Sequence, residues 1–541
     1  MFGLGVMGLL ASGASAVEFS TAAEVWTQSL DGAGGGDGND SAWGLGVDGD
    51  GNIVAGGTLD GEPNQGTTGV VVSWDAAGDE RYDLRFEAGL VGSTDSLDRV
   101  HDLTIDNLDQ VTAVGRQPGS GVADGVLWAQ AIGIDGTLLW ERTFIDGVSP
   151  EQAAFGVAFH PANSDPFVVG WTRGDLPQLS GRWVMMRLAQ ASGADAAAFA
   201  PVYYDVGHES FNPDQAQDGA IDLFGNFVAA GRIGVDGGSM ASDTNDSQWA
   251  VARFGSDRLL DWEDVRGGAL DDEASGLVFA ADGSVVVAGY ENVGTDNAGG
   301  RDDDWSVVSY EAAGDGAGQP VIRWTYAYES APGASERATA IGTNVAGNVL
   351  VVGTTVDGGV LAWRAVELSA VDGSERSEKI WPAQATDSIP QAVAEGDEIL
   401  VVAGSWGNAD DSDFHVTYLA PDSDSDGTID SLDGCPDDED KLEPGICDCN
   451  VSDLDGDGDE FADCQEICDG DPDKQDPGVC GCGFPDDDGD QDGVMSCQDA
   501  CEDSPPGVEV NSLGCAPGEL ELVDTGGGEV APAEPPKGGC D

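Results

Sequence analysis

Basic residues are scarce in this chain of 541 residues, which holds 101 acidic residues against 21 basic ones and has a formal charge of -80. Because nucleic-acid binding relies on a basic surface that displaces counterions, this balance argues against a nucleic-acid partner. It also predicts repulsion from anionic membrane surfaces and attraction of divalent cations. Apolar residues make up 40% of the chain, which is enough to fill a sizeable core and argues against global disorder.

Cysteine is absent before Cys435, and all 11 cysteines lie from there onward. A cytosolic zinc module can use closely spaced cysteines, but zinc sites lack the density of carboxylates, which are hard oxygen ligands, found around these. Disulfides formed in an oxidising compartment are the better interpretation, and their pairing cannot be deduced from sequence. The disulfide candidates are Cys435, Cys447, Cys449, Cys464, Cys468, Cys480, Cys482, Cys497, Cys501 and Cys515.

Long apolar runs are also absent: no stretch reaches the roughly 18 residues that a membrane helix needs. The short run Met1 to Leu10 is followed by Ala14-Ser15-Ala16, a small-x-small pattern that signal peptidase accepts. We therefore expect residues 1–16 to be a signal peptide. No Lys or Arg precedes the run, which departs from the usual pattern and suggests an incomplete start; a frayed N-terminus is the alternative.

Helical periodicity with caps is missing as well, and residues 25–420 instead repeat short β-branched strands bounded by Gly and Asp turns. A Val-rich strand ending in glycine recurs seven times. The copies end at Gly56, Gly115, Gly170, Gly231, Gly289, Gly353 and Gly404. Each copy has room for four strands, so the pattern predicts an all-β fold with a seven-bladed β-propeller over residues 17–420. An open solenoid or two stacked sandwiches are the alternatives.

The two ends of the repeat region predict how the ring closes. The seventh copy stops after its third strand, Phe414 to Leu419, and has no Trp-containing strand of its own. Near the N-terminus, the strand Glu24-Val25-Trp26-Thr27 has no repeat before it. We expect this strand to complete the last blade, which would leave no open sheet edge.

One unit of the repeat carries a family resemblance. Asp271-Asp272-Glu273-Ala274, the turn Ala281-Asp282-Gly283 and the strand Asp303-Asp304-Trp305 resemble the delta-60 type of bacterial β-propeller repeat. Asp246-Ser247-Gln248-Trp249 fits the same pattern. The resemblance covers most of residues 25–420 and is weak in the third and sixth units. It implies a secreted or surface propeller and indicates no particular activity.

Residues typical of catalysis are rare. The chain has four histidines without a common spacing, and it lacks a Gly-x-Ser-x-Gly elbow, a His-Glu-x-x-His pair and a phosphate-binding glycine loop. No catalytic residue is assigned, and we expect the chain not to be an enzyme. Ligands of propellers usually bind where the loops entering the innermost strands converge. The residues expected there are Asp98, Arg99, His101, Gln152, Gln215, Asp218, Glu273 and Arg337; solvated loop residues are the alternative.

Beyond residue 421 large apolar residues become few and acidic residues dominate, so this segment cannot fold on a hydrophobic core. A spacing of 33 residues relates Cys435, Cys468 and Cys501. Lys441-Leu442-Glu443-Pro444-Gly445 recurs at the same spacing as Lys474-Gln475-Asp476-Pro477-Gly478. The acids upstream of each leading cysteine are Asp422, Asp424, Asp426, Asp430 and Asp433; Asp455, Asp457, Asp459, Asp463 and Glu466; and Asp488, Asp490, Asp492 and Asp499.

This alternation meets the demands of calcium, which takes about six to eight hard oxygens. Acids at positions 1, 3 and 5 with glycine at 6, as in Asp422 to Gly427 and Asp488 to Gly493, let the backbone turn around an ion. Helical flanks are missing, so these are EF-like loops without the helices. Two positions depart from the pattern: Glu460 replaces the glycine of the second loop, and Ser496 stands where the first loop has Asp430.

Asp422 to Pro436 closely resembles a thrombospondin type 3 repeat, and Cys501 to Cys515 resembles the end of bacterial arrays of such repeats. The resemblance implies that residues 421–517, the array, wrap irregularly around calcium ions, with the alternating acids above as ligands. It also implies that disulfides staple successive turns, with neighbouring cysteines as the natural partners. A flexible acidic tail with incidental calcium affinity is the alternative.

Residues 518–541, rich in Glu, Pro and Gly, predict an extended spacer. Its end, Gly538-Gly539-Cys540-Asp541, resembles the run-in to bacterial sorting tails, but the apolar helix that follows the cysteine in such tails is absent. We expect either an incomplete end, with anchoring at the cell surface through the C-terminus, or an unpaired thiol at Cys540. The sequence thus predicts a secreted or cell-surface bacterial calcium-binding protein whose propeller binds a glycan or a surface protein on a calcium-stabilised stalk. The alternative is a propeller-type extracellular hydrolase or lyase that acts on polysaccharide.

Overall fold

The computed structural model describes most of the chain between residues 19 and 518. The described residues are 19, 22–31, 40–60, 67–86, 99–119, 122–144, 152–173, 181–196, 201–204, 214–234, 247–267, 271–295, 301–314, 318–330, 334–381, 388–396, 399–408, 411–424, 426, 428–430 and 433–518. The predicted signal peptide, Asp98 and the spacer beyond residue 518 lie outside them. Two compact units, Met1–Ile429 and Asp430–Asp541, make up the chain. Within the described ranges, no helix is long and apolar enough to span a membrane.

The first unit is a seven-bladed β-propeller, as predicted: its described residues form 28 strands in seven four-stranded antiparallel sheets. Strand β1 is Ala22–Leu30, and blade 1 holds β2 (Ser41–Val47), β3 (Ile53–Asp60), β4 (Thr67–Trp74) and β5 (Glu80–Phe86). Blade 2 holds β6 (Arg99–Ile105), β7 (Val111–Gly119), β8 (Val122–Ile132) and β9 (Leu138–Phe144). Blade 3 holds β10 (Gln152–Phe159), β11 (Pro166–Arg173), β12 (Gly181–Arg187) and β13 (Val202–Tyr204).

The remaining blades follow the same order. Blade 4 holds β14 (Gln215–Ile221), β15 (Phe227–Gly234), β16 (Ser247–Phe254) and β17 (Leu260–Arg266). Blade 5 holds β18 (Glu273–Phe279), β19 (Val285–Thr295), β20 (Arg301–Tyr310) and β21 (Ile322–Tyr328). Blade 6 holds β22 (Ala338–Thr343), β23 (Val349–Asp357), β24 (Val360–Leu368) and β25 (Glu375–Trp381), and blade 7 holds β26 (Ile389–Gly396), β27 (Ile399–Asn408) and β28 (Asp411–Pro421). The first strand of each blade faces the centre of the ring.

Blade 7 is closed by the N-terminal strand, as predicted. Strand β1 pairs antiparallel with β28, from Ala22 opposite Pro421 to Leu30 opposite Phe414. Trp26 of β1 stacks on Tyr418 with ring centroids 5.1 Å apart. Closure therefore supplies blade 7 with its fourth strand and pairs the backbone edge that β28 would otherwise expose.

Four tryptophans of the outer strands each tie their blade to the next one. Their indole N–H groups donate to backbone carbonyls in the turn between the third and fourth strands of the following blade. These bonds join Trp26 to Ala76, Trp140 to Gln190, Trp262 to Ala312 and Trp324 to Ala370, at 2.6 to 3.1 Å. The aromatic ring packs while its polar edge stays satisfied, which accounts for tryptophan at this position.

Each Val-rich strand carries glycine opposite a bulge in the innermost strand. In blade 4 the register of β14 against β15 shifts between Ala216 and Asp218. A Cβ atom at Gly231 would overlap the carbonyl oxygen of Gln215. In blade 1 the equivalent glycine is Gly57, whose Cβ would overlap the carbonyl of Ser41, rather than Gly56 as predicted. The glycine is thus required by the close approach of two backbones.

The second unit contains almost no regular secondary structure among its described residues, apart from a 3-10 turn at Asp463–Gln465. Five disulfides hold it together, as predicted in number. The pairs are Cys435–Cys449, Cys447–Cys464, Cys468–Cys482, Cys480–Cys497 and Cys501–Cys515. The expectation that neighbouring cysteines pair is correct for Cys501–Cys515 and wrong for the other four pairs. Within each full repeat the two loops interlock, because Cys447 lies inside the loop closed by Cys435 and Cys449.

Candidate calcium loops and propeller cavity

The second acidic loop brings its alternating carboxylates together. Carboxylate oxygens of Asp455, Asp457 and Asp459 lie within 4.8 Å of one another. Asp455 organises the loop, because its carboxylate accepts hydrogen bonds from the backbone N–H of Gly458 (2.6 Å) and Glu460 (3.1 Å). Glu460 takes the left-handed conformation (φ +79°) that the loop requires at this position. The turn is therefore kept without glycine, at a cost of about 1–2 kcal/mol.

Glu466, at position 12 of this loop, faces the same carboxylates. Burial raises its pKa, and the charges of Asp459, Asp457, Asp463 and Asp455 raise it further. Both carboxylate oxygens of Glu466 and the Oδ2 atom of Asp457 are buried and accept no hydrogen bond. Three carboxylates thus converge, with Glu466 beside them, and leave buried oxygens that a cation could satisfy.

The third loop has the same construction. Carboxylate oxygens of Asp488, Asp490 and Asp492 lie within 4.8 Å of one another. Gly493 turns the chain at φ +97° and donates its N–H to Asp488 Oδ2 at 2.9 Å. The Oδ2 atom of Asp492 is buried and has no hydrogen-bond partner.

Two further positions of this loop, Ser496 and Asp499, accept hydrogen bonds from backbone N–H groups. Ser496 Oγ accepts a hydrogen bond from Gly489 N–H at 3.1 Å, the bond that Asp463 makes to Gly456 in the second loop. Asp499 accepts from Cys501 N–H at 2.7 Å. It therefore ties the end of the loop to the leading cysteine.

The residues predicted for the first loop are divided between the two units. Asp422, Asp424 and Asp426 lie in the first unit, where their carboxylate oxygens come within 4.8 Å of one another. The Oδ2 atom of Asp424 is buried without a hydrogen-bond partner. Asp430 and Asp433 belong to the second unit. Asp433 is buried, its Oδ1 accepts from Cys435 N–H at 2.7 Å, and its Oδ2 has no partner.

Each full repeat of the second unit also contains a lysine whose ammonium group is surrounded by oxygen atoms of the same repeat. Lys441 Nζ donates to the carbonyl oxygens of Pro444 (3.0 Å) and Asp448 (2.9 Å) and lies 3.0 Å from Asp453 Oδ1. Lys474 Nζ has the partners Pro477, Gly481, Phe484 and Asp486 at 2.7 to 3.1 Å. The recurrence of Lys-x-x-Pro-Gly was visible in the sequence, but its role as a cation held by oxygens was not predicted.

The propeller encloses a central cavity of about 1170 Å³. Six of the residues expected to bind ligand line it, namely Arg99, His101, Gln215, Asp218, Glu273 and Arg337. Gln152 lies instead within β10, buried opposite Thr172. Trp43, Phe155 and Tyr290, which were not predicted, add aromatic surface to the wall. His101 stacks on Phe155 with ring centroids 4.8 Å apart.

Two carboxyl groups of the cavity wall hold neighbouring blades together. Asp102 Oδ2 accepts from Val157 N–H, and Asp218 Oδ2 accepts from Leu277 N–H, each at 2.8 Å. Burial raises the pKa of Asp218 to about 6; burial and the charge of Asp218 raise the pKa of Asp102. Sequence reasoning missed Asp102, although it occupies the same bulge position in blade 2 as Asp218 in blade 4.

His101 is neutral in this wall. Burial lowers its pKa to about 4. Its Nδ1–H donates to the carbonyl oxygen of Ala154 at 2.7 Å. The imidazole therefore links blade 2 to blade 3, and a proton on it at neutral pH is disfavoured.

Arginines stand at one end of the cavity. Arg232 donates two hydrogen bonds to Gln215 Oε1 (3.1 and 2.6 Å) and lies 3.3 Å from Glu273. Arg337 pairs with the fully buried Asp303 at 2.5 Å and covers the ring of Tyr290, 4.3 Å from its centroid. The mouth therefore offers guanidinium groups, an amide and an aromatic ring to a ligand.

No protein-family model matches the chain, and no curated protein matches it. Solved structures do. Polysaccharide lyase Uly1 is 10% identical with a TM-score of 0.44, over 75% of this chain and 100% of that one. A protein of unknown function from Dyadobacter fermentans is 10% identical (TM-score 0.42, 74% and 99%), and Sqt1 from Chaetomium thermophilum is 11% identical (TM-score 0.41, 75% and 100%). Similarity of this degree carries no function over to the chain.

Proposed function

We propose that the chain is an exported calcium-binding protein, with the acidic loops of the array as its metal sites. The observation that carries the proposal is the set of buried carboxylate oxygens without hydrogen-bond partners on Asp457, Glu466 and Asp492. Burying an ionised carboxylate without a partner costs several kcal/mol, a cost that a counter-charge offsets. A divalent ion bound at these oxygens would supply that charge.

Calcium is the ion that these loops suit. Every candidate ligand is an oxygen, and the ten cysteines of the described array are consumed in disulfides. Zinc prefers nitrogen and sulfur ligands, and magnesium demands a stricter octahedral geometry than a flexible loop provides. The affinity expected for an extracellular module is a Kd on the order of 10⁻⁴ to 10⁻³ M.

A calcium titration of the full chain by calorimetry tests this proposal. The double variant Asp457→Asn and Glu466→Gln removes two charged ligands from the second loop, and we expect it to bind one ion fewer or that ion roughly tenfold more weakly, because ligand charge sets affinity. Asp473→Asn is the matched control, since Asp473 is an exposed acid of the same repeat outside the loops. Equal calcium uptake by both proteins would refute the assignment.

The export part of the proposal rests on the five disulfides, which persist in oxidising compartments. In this proposal the array serves as a calcium-stabilised stalk, and the C-terminus anchors the protein at the cell surface. Fractionation of the source cells tests it. The protein is expected outside the cytoplasm, and a cytoplasmic location would overturn it.

The propeller, in this proposal, is a binding module for a glycan or a surface protein and not an enzyme. Support comes from the titratable groups of the cavity. Asp102, Asp218 and His101 bond the backbone of neighbouring blades, so they are occupied in holding the ring. Tyr290, Phe155 and the arginines at the mouth line the cavity and give it the aromatic and guanidinium surface that a ligand could contact.

A glycan array combined with an activity screen on the full chain separates binding from catalysis. We expect retention of a ligand without turnover, and we expect Arg99→Ala to weaken retention because Arg99 is an exposed part of the cavity wall. Release of shortened or unsaturated sugar products would instead favour a polysaccharide hydrolase or lyase.

A further inference from the structure

A cluster of three acidic residues lies in the propeller, at one end of the outer two strands of blade 5. Asp302 and Asp304 are on β20, and Glu329 directly follows β21. Their carboxylate oxygens lie within 4.8 Å of one another. Asp304 belongs to the acidic pair of the propeller repeat, but the sequence did not predict that it meets Asp302 and Glu329.

The strand register explains why these three residues meet. Trp305 of β20 pairs with Tyr328 of β21, so the next step of the ladder sets Asp304 beside Glu329. Asp302 lies two residues from Asp304 and therefore on the same face of the sheet. Like charges placed directly across a ladder repel each other and destabilise a sheet.

Nothing in the described part of the protein compensates this charge. The Oδ1 atoms of Asp302 and Asp304 are both fully buried, and neither accepts a hydrogen bond. Arg337 pairs with Asp303, which lies between them on the opposite face. Among the described residues, no ion pair reaches Asp302, Asp304 or Glu329.

The electrostatics of Asp304 agree with this reading. Burial raises its pKa to about 6, and the charges of Glu329, Asp302, Glu336 and Asp303 act in the same direction. A positive charge beside such a carboxyl group would favour its ionised form.

The group is not a requirement of the fold. In blade 4, where Trp249 pairs with Arg266 as Trp305 pairs with Tyr328, the corresponding positions are Gln248 and Gly267. That blade forms the same four-stranded sheet without an acid at either of these two positions. The fold alone therefore does not account for the acids at Asp304 and Glu329 in blade 5.

We propose that Asp302, Asp304 and Glu329 form a binding site for a divalent cation of the calcium class on the propeller, separate from the loops of the array. Three carboxylates and no soft ligand suit a hard cation. The site stands beside the mouth of the cavity, because Asp303 of the same strand holds Arg337, which lines it. A bound ion would fix the start of β20 and with it the position of Arg337.

Terbium luminescence separates this site from the array. All Trp and Tyr residues of the chain lie at or before Tyr418, so the array has no aromatic donor to excite Tb³⁺. Energy transfer falls steeply with distance, which makes tryptophan-excited emission a signal from the propeller. We expect the full chain to give such emission and expect Ca²⁺ to displace it.

The variants are Asp304→Gln, which copies blade 4, and Glu329→Gln, which changes an exposed residue. Each is expected to weaken the terbium signal roughly tenfold in apparent affinity, since each removes one charged ligand. Glu311→Gln, an exposed acid of the same blade outside the group, is the matched control and should leave the signal unchanged. Circular dichroism verifies that each variant is folded.

The outcome that overturns the proposal is emission that persists unchanged in the folded Asp304→Gln and Glu329→Gln double variant. If the Asp424→Asn variant loses the emission instead, the signal comes from the first acidic loop, and the proposal is overturned as well. The Asp457→Asn variant of the array should retain the signal. Failure of this site and failure of the proposed calcium loops are therefore distinguishable.

Discussion

The propeller and the second unit are both built from repeats, but they bury opposite kinds of side chain. In the propeller, valines such as Val286 and Val351 and aromatic residues such as Trp305 are fully buried. In the second unit the buried positions include Cys435, Cys468, Asp433 and Asp438. There the apolar side chains point outward, and Leu454, Ile467 and Phe484 are 60 to 68% exposed. A repeat can thus be held by apolar packing or by sulfur and oxygen.

The two regions nevertheless share one kind of hydrogen bond, from a repeated side chain to the backbone. In both, a repeated side chain donates from a buried position to backbone carbonyls of a neighbouring segment. Trp324 of the propeller donates to Ala370, and Lys474 of the second unit donates to Phe484. Tryptophan suits the first setting because its ring adds apolar contact, whereas lysine suits the second because its charge also meets Asp486.

The largest difference between the regions should appear on chelation. Removal of calcium leaves the carboxylates of the loops repelling one another without an apolar core, so the order of residues 433–518 is expected to collapse while the propeller stays folded. Limited proteolysis read by mass spectrometry, with and without chelator, measures this. Equal resistance of the two regions in both conditions would break the comparison.

A steric change should affect only the propeller. Gly231→Ala forces a Cβ atom onto the carbonyl of Gln215, and we expect it to destabilise the first unit by about 3 kcal/mol or more. Gly294→Ala in β19 is the matched control, because nothing lies within 4 Å of the added atom. Denaturant unfolding followed by tryptophan fluorescence compares the two. Similar midpoints of the unfolding transition for the two variants would show that β14 and β15 can move apart at Gly231 to admit the added atom.

The smallest effect is expected for a single lysine of the second unit. Lys474→Met removes the ammonium group from its four oxygen partners and leaves Asp486 without its counter-charge. Hydrogen exchange should accelerate at Val479 and Cys480, whose N–H groups donate to Asp486, by at least roughly tenfold. The corresponding segment at Ile446 and Cys447 around Lys441 serves as the internal control. Uniform acceleration in both segments would contradict a local role.

Much of the propeller followed from local pattern. Short strands, glycine and aspartate turns and a strand left over at each end predicted seven blades and their closure through Glu24 to Thr27, because strand alternation and turn chemistry are local properties. The roles of individual positions did not follow. Asp102 was missed, and Gln152 lies away from the cavity because it stands one residue before the position that Gln215 occupies in blade 4. An offset of one residue turns a strand side chain to the other face.

Residue spacing was enough to predict seven β repeats, a cysteine-rich acidic array after them, and carboxylates that alternate in the manner of calcium loops. The folded chain was needed to learn which cysteines pair, that Lys441 and Lys474 lie among oxygens, and that Asp302, Asp304 and Glu329 meet. The difference lies in the range of the interactions. Turns and periods are encoded between near neighbours, whereas these contacts arise where separate segments are brought face to face by packing and register.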